Sequence, residues 1–194
     1  MKMTAKAVKR GAAVLVLAAV FAAAWYHFSY PIELNLATLP GEIAAFINRE
    51  SEDFDPSEIR VYDGVALGNR EYYLVEMGEF LGSVALRRSL TGRYQIEYLR
   101  YGDGELRDAI VESGGKKYLL LGGRDPNARV ARIAVSIDGR SYELENQNPR
   151  DHFLLCAEID PRTEDSHIDL ARLAFYDEAG EDITGLYDLS GGGI

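Results

Sequence analysis

Three patterns of apolar and polar positions divide the chain. From Gly11 to Tyr26 every residue is apolar or aromatic. Lys2, Lys6, Lys9 and Arg10 precede the run, Trp25, Tyr26, Phe28 and Tyr30 close it, and no acidic residue appears before Glu33. Cations on one side, an apolar stretch and amphipathic aromatics at the far boundary are the marks of a membrane-spanning helix. Residues 11–30 supply the ~20 positions that a ~30 Å hydrocarbon core requires. The expected anchor is therefore 11–30, behind a cytoplasmic basic head at 1–10, with Lys9, Arg10, Trp25, Tyr26 and Tyr30 at the membrane interfaces.

The second pattern is helical. Ile43, Ala44, Phe46 and Ile47 recur at helical spacing up to Arg49. Thr38 is placed to cap the segment, and Pro40 suits a first turn, where its missing N–H costs nothing. The spacing predicts a short amphipathic helix over Pro40–Glu50, packed against the domain that follows. Glu50, Glu52, Asp53 and Asp55 before Pro56 read as a polar loop, so residues 31–56 form a linker carrying one short helix.

From Ser57 the period becomes two. Tyr94, Ile96 and Tyr98 alternate with Arg93, Gln95 and Glu97, and Ile133, Val135 and Ile137 alternate with their neighbours. Tyr72–Val75 and Tyr118–Leu121 are short apolar runs. Turn signals fall between such segments, at Asp63-Gly64, Gly68-Asn69, Thr91-Gly92, Gly102-Asp103-Gly104, Gly114-Gly115, Asp138-Gly139 and Ala179-Gly180. Asp138-Gly139, between VSI and RSYEL, is the strongest hairpin signal. The IDLARLAF stretch near 165–175 fits neither period and reads as a loop or turn entering a strand at Arg172–Asp177. The fold class that follows is mainly β: an antiparallel sandwich or meander over 57–189, behind the membrane helix and the short helix. SGGGI, residues 190–194, reads as a flexible tail.

The N-terminal run has a competing reading. A cleaved signal peptide also has a basic head and an apolar core, and Ala22-Ala23-Ala24 offers small residues for cleavage. No polar stretch precedes Ala22, and cleavage would leave Trp25 as the new terminus. This favours an uncleaved anchor, with secretion after cleavage as the alternative. Both readings export everything after Pro31.

Composition narrows the partners. Among 194 residues the net charge is −10, and the basic head contributes +4, so the remainder carries −14. Such a domain is a poor nucleic-acid binder, and acidity of this kind ordinarily serves solubility. With Cys156 as the single cysteine, no intramolecular disulfide forms, and the fold rests on its core.

Candidate chemistry is sparse. Cys156 and His152 are four apart in HFLLCAEI, which reads as a strand. Four residues at ~3.3 Å per residue set them ~13 Å apart, too far for a nucleophile and its base. The expectation is a Cys156 that behaves as a small hydrophobe, a solvated His152 at a strand start, and His167 in a loop. Asp160, Glu164, Asp165 and Asp169 form an acidic cluster with cation-binding potential, and their spacing does not match an EF-hand loop. Asp177, Glu178, Glu181 and Asp182 read as the solvated turn of a hairpin. Of the tyrosines, Tyr62, Tyr94, Tyr98 and Tyr118 are expected in the core, and Tyr101 and Tyr142 exposed near turns. Gly122-Gly123 after LLL is not a phosphate loop, and no nucleophile elbow is present. No cofactor and no catalytic residue is implied.

The run YYLVEMGEFLGSVALRRSLTGRYQIEYLRYG, followed by KKYLLLGGRDPNARVARIAVSIDGRSYEL, HFLLCAEID and FYDEAGEDIT, resembles uncharacterised, membrane-anchored exported proteins of Gram-positive bacteria, particularly spore-forming Firmicutes. The resemblance covers about Glu71 to Thr184 and implies one span and a small β-rich domain, with no catalytic residue. The expected function is a single-pass membrane protein whose exported β domain is a binding or interaction module for another membrane or cell-envelope protein. Two alternatives are an exported hydrolase using His167 or His152 with acids such as Asp160 or Asp165, and an accessory or sensor subunit of a membrane complex.

Overall fold

The computed structural model describes the backbone of residues 5–50, 52–187 and 189, and their side chains except at 5–13, 50 and 63. The chain is mainly β, with two α-helices and ten strands among these residues. Helix α1, Ala5–Ser29, takes in the whole apolar run. The expected span over 11–30 coincides with it, yet among the described residues no helix is long and apolar enough to cross a membrane. Described side chains begin at Val14, and from there to Ser29 the helix rises only about 24 Å. The side chains of Lys9 and Arg10 and the tail at 190–194 lie outside the described residues.

Helix α2, Leu39–Ile47, occupies the predicted place and continues as a 3-10 turn over Asn48–Glu50. Pro40 sits in its first turn as expected. Thr38 is the capping residue by position but makes no side-chain cap: its backbone is helical, and its Oγ1 donates to Asn35 O at 3.2 Å. Ile43, Ala44 and Ile47 of the predicted stripe are buried together with Leu39, and Phe46 is half-buried. Each fully buried Leu or Ile contributes roughly 1.5–3 kcal/mol, so this stripe fixes α2 to the strands.

The strands form three antiparallel sheets. Strands β1 (Ile59–Leu67), β2 (Arg70–Met77), β3 (Phe80–Arg88) and β4 (Tyr94–Gly102) make a meander in sequence order, called here the first sheet. The second sheet has the order β5-β6-β9, from β5 (Leu106–Ser113), β6 (Lys116–Arg124) and β9 (His152–Ile159). The third has β10 (Leu173–Tyr176), β7 (Arg132–Ile137) and β8 (Arg140–Glu145), with β7 central. The expected meander is present in the first sheet, and all three sheets are antiparallel.

Alternation explains the stacking. On β2, Tyr73, Val75 and Met77 turn towards α2, where they join Ile43, Ile47 and Ile59. Tyr72 turns the other way and meets Ala85 and Leu120 between the first and second sheets. The opposite face of the second sheet supplies Leu119, Leu121, Phe153 and Ile159 to a core shared with Ile133, Val135, Leu144 and Phe175 of the third. The layers run α2, first sheet, second sheet, third sheet. Because the middle sheets are covered on both faces, their strands read as apolar runs such as YLLL and YYLV rather than as clean alternation.

Gly122 and Gly123 have a packing role. A Cβ on Gly122 would lie 2.7 Å from Leu74 Cδ1, and one on Gly123 would lie 2.5 Å from Leu106 and 2.8 Å from Phe153. Gly122 lets β6 approach Leu74 of the first sheet, and Gly123 leaves room for the Leu106 and Phe153 side chains of its own sheet. The Asp138-Gly139 hairpin is as predicted: both residues have positive φ, 51° and 73°, and Ile137 pairs with Arg140 around them. The IDLARLAF stretch becomes a 3-10 turn at Leu170–Arg172 running into β10.

Candidate functional site

A half-buried charged group joins the first sheet to the second at the end of the sheets near the β2–β3 turn. Glu76 is the one acidic residue within the YYLVEM run, and alternation sends it to the side facing the second sheet. There its Oε2 accepts from Tyr62 OH at 2.6 Å, and its Oε1 accepts from Arg124 Nε at 2.7 Å and His152 Nε2 at 3.0 Å. Arg124 also donates to Glu79 O, in the β2–β3 turn, at 2.8 Å. The Tyr62 and His152 rings stack 3.7 Å apart at 13°. Burial pushes the Glu76 carboxyl up, but the hydrogen bonds from Tyr62, Arg124 and His152 outweigh it and bring the group down to about 2. Burial, reinforced by Glu76, raises the Tyr62 phenol to about 12.

This arrangement fixes Glu76 as an anion with its acceptor capacity in use, so it is a poor general base. His152 is not the solvated strand-start residue expected; its side chain is 11% exposed, because the first sheet lies over the beginning of β9. With Nε2 directed at Glu76, Nδ1 has no hydrogen-bond partner, and Asp151 Oδ1 at 3.5 Å is too distant to serve as one.

The second histidine lies where the 160–169 loop crosses the edge of β5. Asp108 Oδ2 accepts from Ile168 N at 2.8 Å and lies 3.3 Å from His167 Nδ1. Nε2 of His167 faces Arg100 Nη1 at 3.4 Å. The imidazole thus has an orienting carboxylate, but its outer nitrogen meets a guanidinium instead of a hydroxyl or thiol. Ile110 N donates to Ser166 O, so the loop covers a strand edge that would otherwise be open. Cys156 is half-buried on β9 beside the Tyr72–Leu120 cluster, and burial pushes its thiol up, away from the reactive thiolate.

The acidic candidates separate. Asp160 is 10% exposed and is held by both Arg140 and Arg162, the latter through Nη2 at 2.9 Å; its backbone N donates to Tyr142 OH at 3.1 Å. Asp169 accepts from Ala171 N at 3.1 Å and starts the 3-10 turn before β10. Glu164 and Asp165 are exposed. Among the described residues no three His, Cys, Asp or Glu side chains come together to hold a metal ion. Around Asp177, the predicted turn forms: its Oδ1 accepts from Ala179 N and Glu181 N, each at 3.0 Å, and Gly180 has φ +82°. Two of the tyrosines follow expectation, Tyr94 in the core and Tyr101 exposed, and the other four depart from it. Tyr94 is buried, while Tyr62, Tyr98 and Tyr118 are half-buried between layers or at sheet margins. Tyr142 is half-buried against the core of the second and third sheets, and Tyr101 packs edge-on against Phe54 and Phe80.

At the opposite end of the first sheet, α1 is joined to the domain by specific bonds. Tyr26 OH accepts from Leu90 N, in the β3–β4 turn, at 2.7 Å. Arg93, on the same turn, donates from Nε to Tyr30 O at 2.8 Å and from Nη2 to Pro31 O, and its Nη1 pairs with Glu33 at 2.6 Å. Ile32 and Tyr94 exchange backbone hydrogen bonds of 2.9 and 2.8 Å, adding a bridge beside β4. Tyr26 and Tyr30 pack 5.1 Å apart. Two of the expected interface residues are therefore parts of a joint, while Trp25 is exposed.

Sequence reading does not anticipate Glu76, Arg124, Asp108 or Arg93. A signal for the first is present: a carboxylate inside an apolar strand is rarely left unpaired. No family model, no curated protein and no solved structure matches the chain.

Proposed function

We propose that the chain is a single-pass membrane protein whose β domain is a binding or interaction module, held outside the membrane on α1 at a fixed angle. One observation carries the reading. Val14, Leu15, Val16, Leu17, Val20, Phe21, Trp25 and Phe28 are 62–79% exposed, while the domain's own large apolar residues are, with few exceptions, buried. A continuous apolar surface of this size needs a covering, and the aromatic belt and basic head favour lipid as that covering. The exported, anchored topology also agrees with the resemblance to anchored proteins of Gram-positive bacteria.

The module reading is favoured over the hydrolase by the state of the ionisable groups. Arg124 and His152 both hydrogen-bond to Glu76, and His167 lies between Asp108 and Arg100. No nucleophile faces His152 Nδ1 or either nitrogen of His167, so both groups act as ties between layers. The proposed partner is another membrane or envelope protein. Flotation of the full chain with liposomes in alkaline carbonate tests the anchor: the reading expects it to rise with the lipid, and chain left at the bottom of the gradient overturns it. Crosslinking in intact membranes, followed by pull-down, then identifies the partner.

A further inference from the structure

The β3–β4 turn carries the most exposed large apolar side chain of the domain, Leu90 at 98%. Its placement is set by α1. Leu90 N is bonded to Tyr26 OH, and Tyr26 lies four residues before Tyr30, which is about 6 Å back along the helix axis at 1.5 Å per residue. The turn therefore reaches past the base of α1, to the level of Trp25, Tyr26 and Phe28. The polar interface of a bilayer is about 5–7 Å thick on each side, the difference between a ~30 Å core and a ~40–45 Å membrane. A helix whose aromatic end lies in that interface necessarily brings Leu90 into it.

Charge agrees with this placement. The exported part of the chain carries −14, yet Arg87 and Arg88 stand together at the end of β3, both exposed, and Arg93 follows the turn. Arg93 is engaged with Tyr30, Pro31 and Glu33, and Arg87 lies 3.9 Å from Glu97. Arg88 makes no ion pair among the described residues, and its guanidinium lies over the turn near Gly92. An apolar side chain at the tip with a cation behind it suits a phospholipid surface, where the side chain enters the acyl boundary and the cation meets phosphate.

We infer that the β3–β4 turn is a second membrane contact, in which Leu90 inserts among the headgroups beside α1 and Arg88 binds the phosphate of an anionic phospholipid. It rests on the anchor reading, and it converts a single tether into a two-point seat that fixes the rotation of the domain about the helix axis.

Trp25 is the only tryptophan, so fluorescence separates the two claims. The full chain is reconstituted into vesicles of phosphatidylcholine and phosphatidylglycerol, with and without brominated acyl chains. Wild-type emission reports α1, and Leu90→Trp in a Trp25→Phe background reports the turn. The proposal expects both to be quenched, with blue-shifted emission. Adding Arg88→Ala should lower the ratio of docked to undocked turn about fivefold in the anionic vesicles, the equivalent of ~1 kcal/mol per basic residue at such a surface. Quenching of Trp25 without quenching of the indole placed at position 90, and red emission from that indole, overturns the second contact and leaves the anchor standing. If Trp25 itself is not quenched, the anchor fails and this inference falls with it. A blue shift at the turn that grows with protein density and ignores bromine means a second copy covers Leu90, which also overturns it.

Discussion

The two ends of the first sheet are tied down by different physics. At the α1 end, the joint consists mainly of neutral acceptors: a phenol taking the Leu90 N–H, backbone carbonyls of Tyr30 and Pro31 taking Arg93, and the Ile32–Tyr94 backbone pair. Its one ion pair, Arg93–Glu33, has a Glu33 side chain that is 82% exposed, and contributes little. At the other end, Glu76 is 13% exposed, balances Arg124 and hydrogen-bonds His152 between two sheets. The first kind of tie is largely indifferent to pH and ionic strength. The second depends on a carboxylate staying charged out of water, so loss of one partner strands the others. The α1 joint should therefore outlast the contact between the sheets when the solution is acidified.

The largest expected effect comes from Glu76→Gln. Arg124 would be left partly buried without its counter-charge, and the expected loss is on the order of 3 kcal/mol, read from urea unfolding of the full chain in detergent. The sign of the pH dependence follows from the same group. Its folded pKa of about 2 lies below the ordinary 4.5, so the stability it supplies is complete above about 4.5 and is lost as pH falls through about 2. Wild type should lose stability across that window, and Glu76→Gln should flatten that part of the profile. An unchanged acid limb would break the comparison, since the far end would then be no more charge-dependent than the joint. Tyr62 acts on the alkaline side: its stabilisation is present below 10 and lost as pH rises through about 12.

Next in size is Arg93→Ala, which removes donors to two backbone carbonyls. A cost of about 1–2 kcal/mol is expected, with faster protease cutting between residues 30 and 38 at neutral pH. Tyr26→Phe removes a single hydrogen bond and should cost about 1 kcal/mol or less. The smallest effect is expected from Leu90→Ser, within about 0.5 kcal/mol in detergent, because the side chain is almost wholly exposed. A Leu90→Ser loss as large as that of Arg93→Ala would mean that the turn is packed rather than presented.

Much of the fold is readable from local pattern because local chemistry determines it. Of the stripe Ile43, Ala44, Phe46 and Ile47, all but the half-buried Phe46 lie on the buried face of α2, and Asp138-Gly139 names a two-residue hairpin, since each depends only on neighbouring residues. Which sheet meets which is not readable in this way. His152 reads as solvated because nothing near it in sequence reveals that β1 and β2, with Glu76 some 76 residues earlier, cover it. Tyr142 misleads for the same reason: its partner is the backbone of Asp160 at the end of another strand. The acidic loop resembles a cation site only while Asp160 is counted with its neighbours, and the pairing of Asp160 with Arg140 and Arg162 removes its strongest member. Thr38 shows the limit even of local rules, since Asn35 takes its hydroxyl before it can cap α2.

The account turns on whether α1 stays with the domain in the membrane. Intact mass and N-terminal sequence of the chain, recovered after expression in a Gram-positive host, test this directly. The prediction is a full-length product of 21.5 kDa in the membrane fraction, retained after carbonate washing. A shorter chain beginning at Trp25 and free in the medium would contradict it.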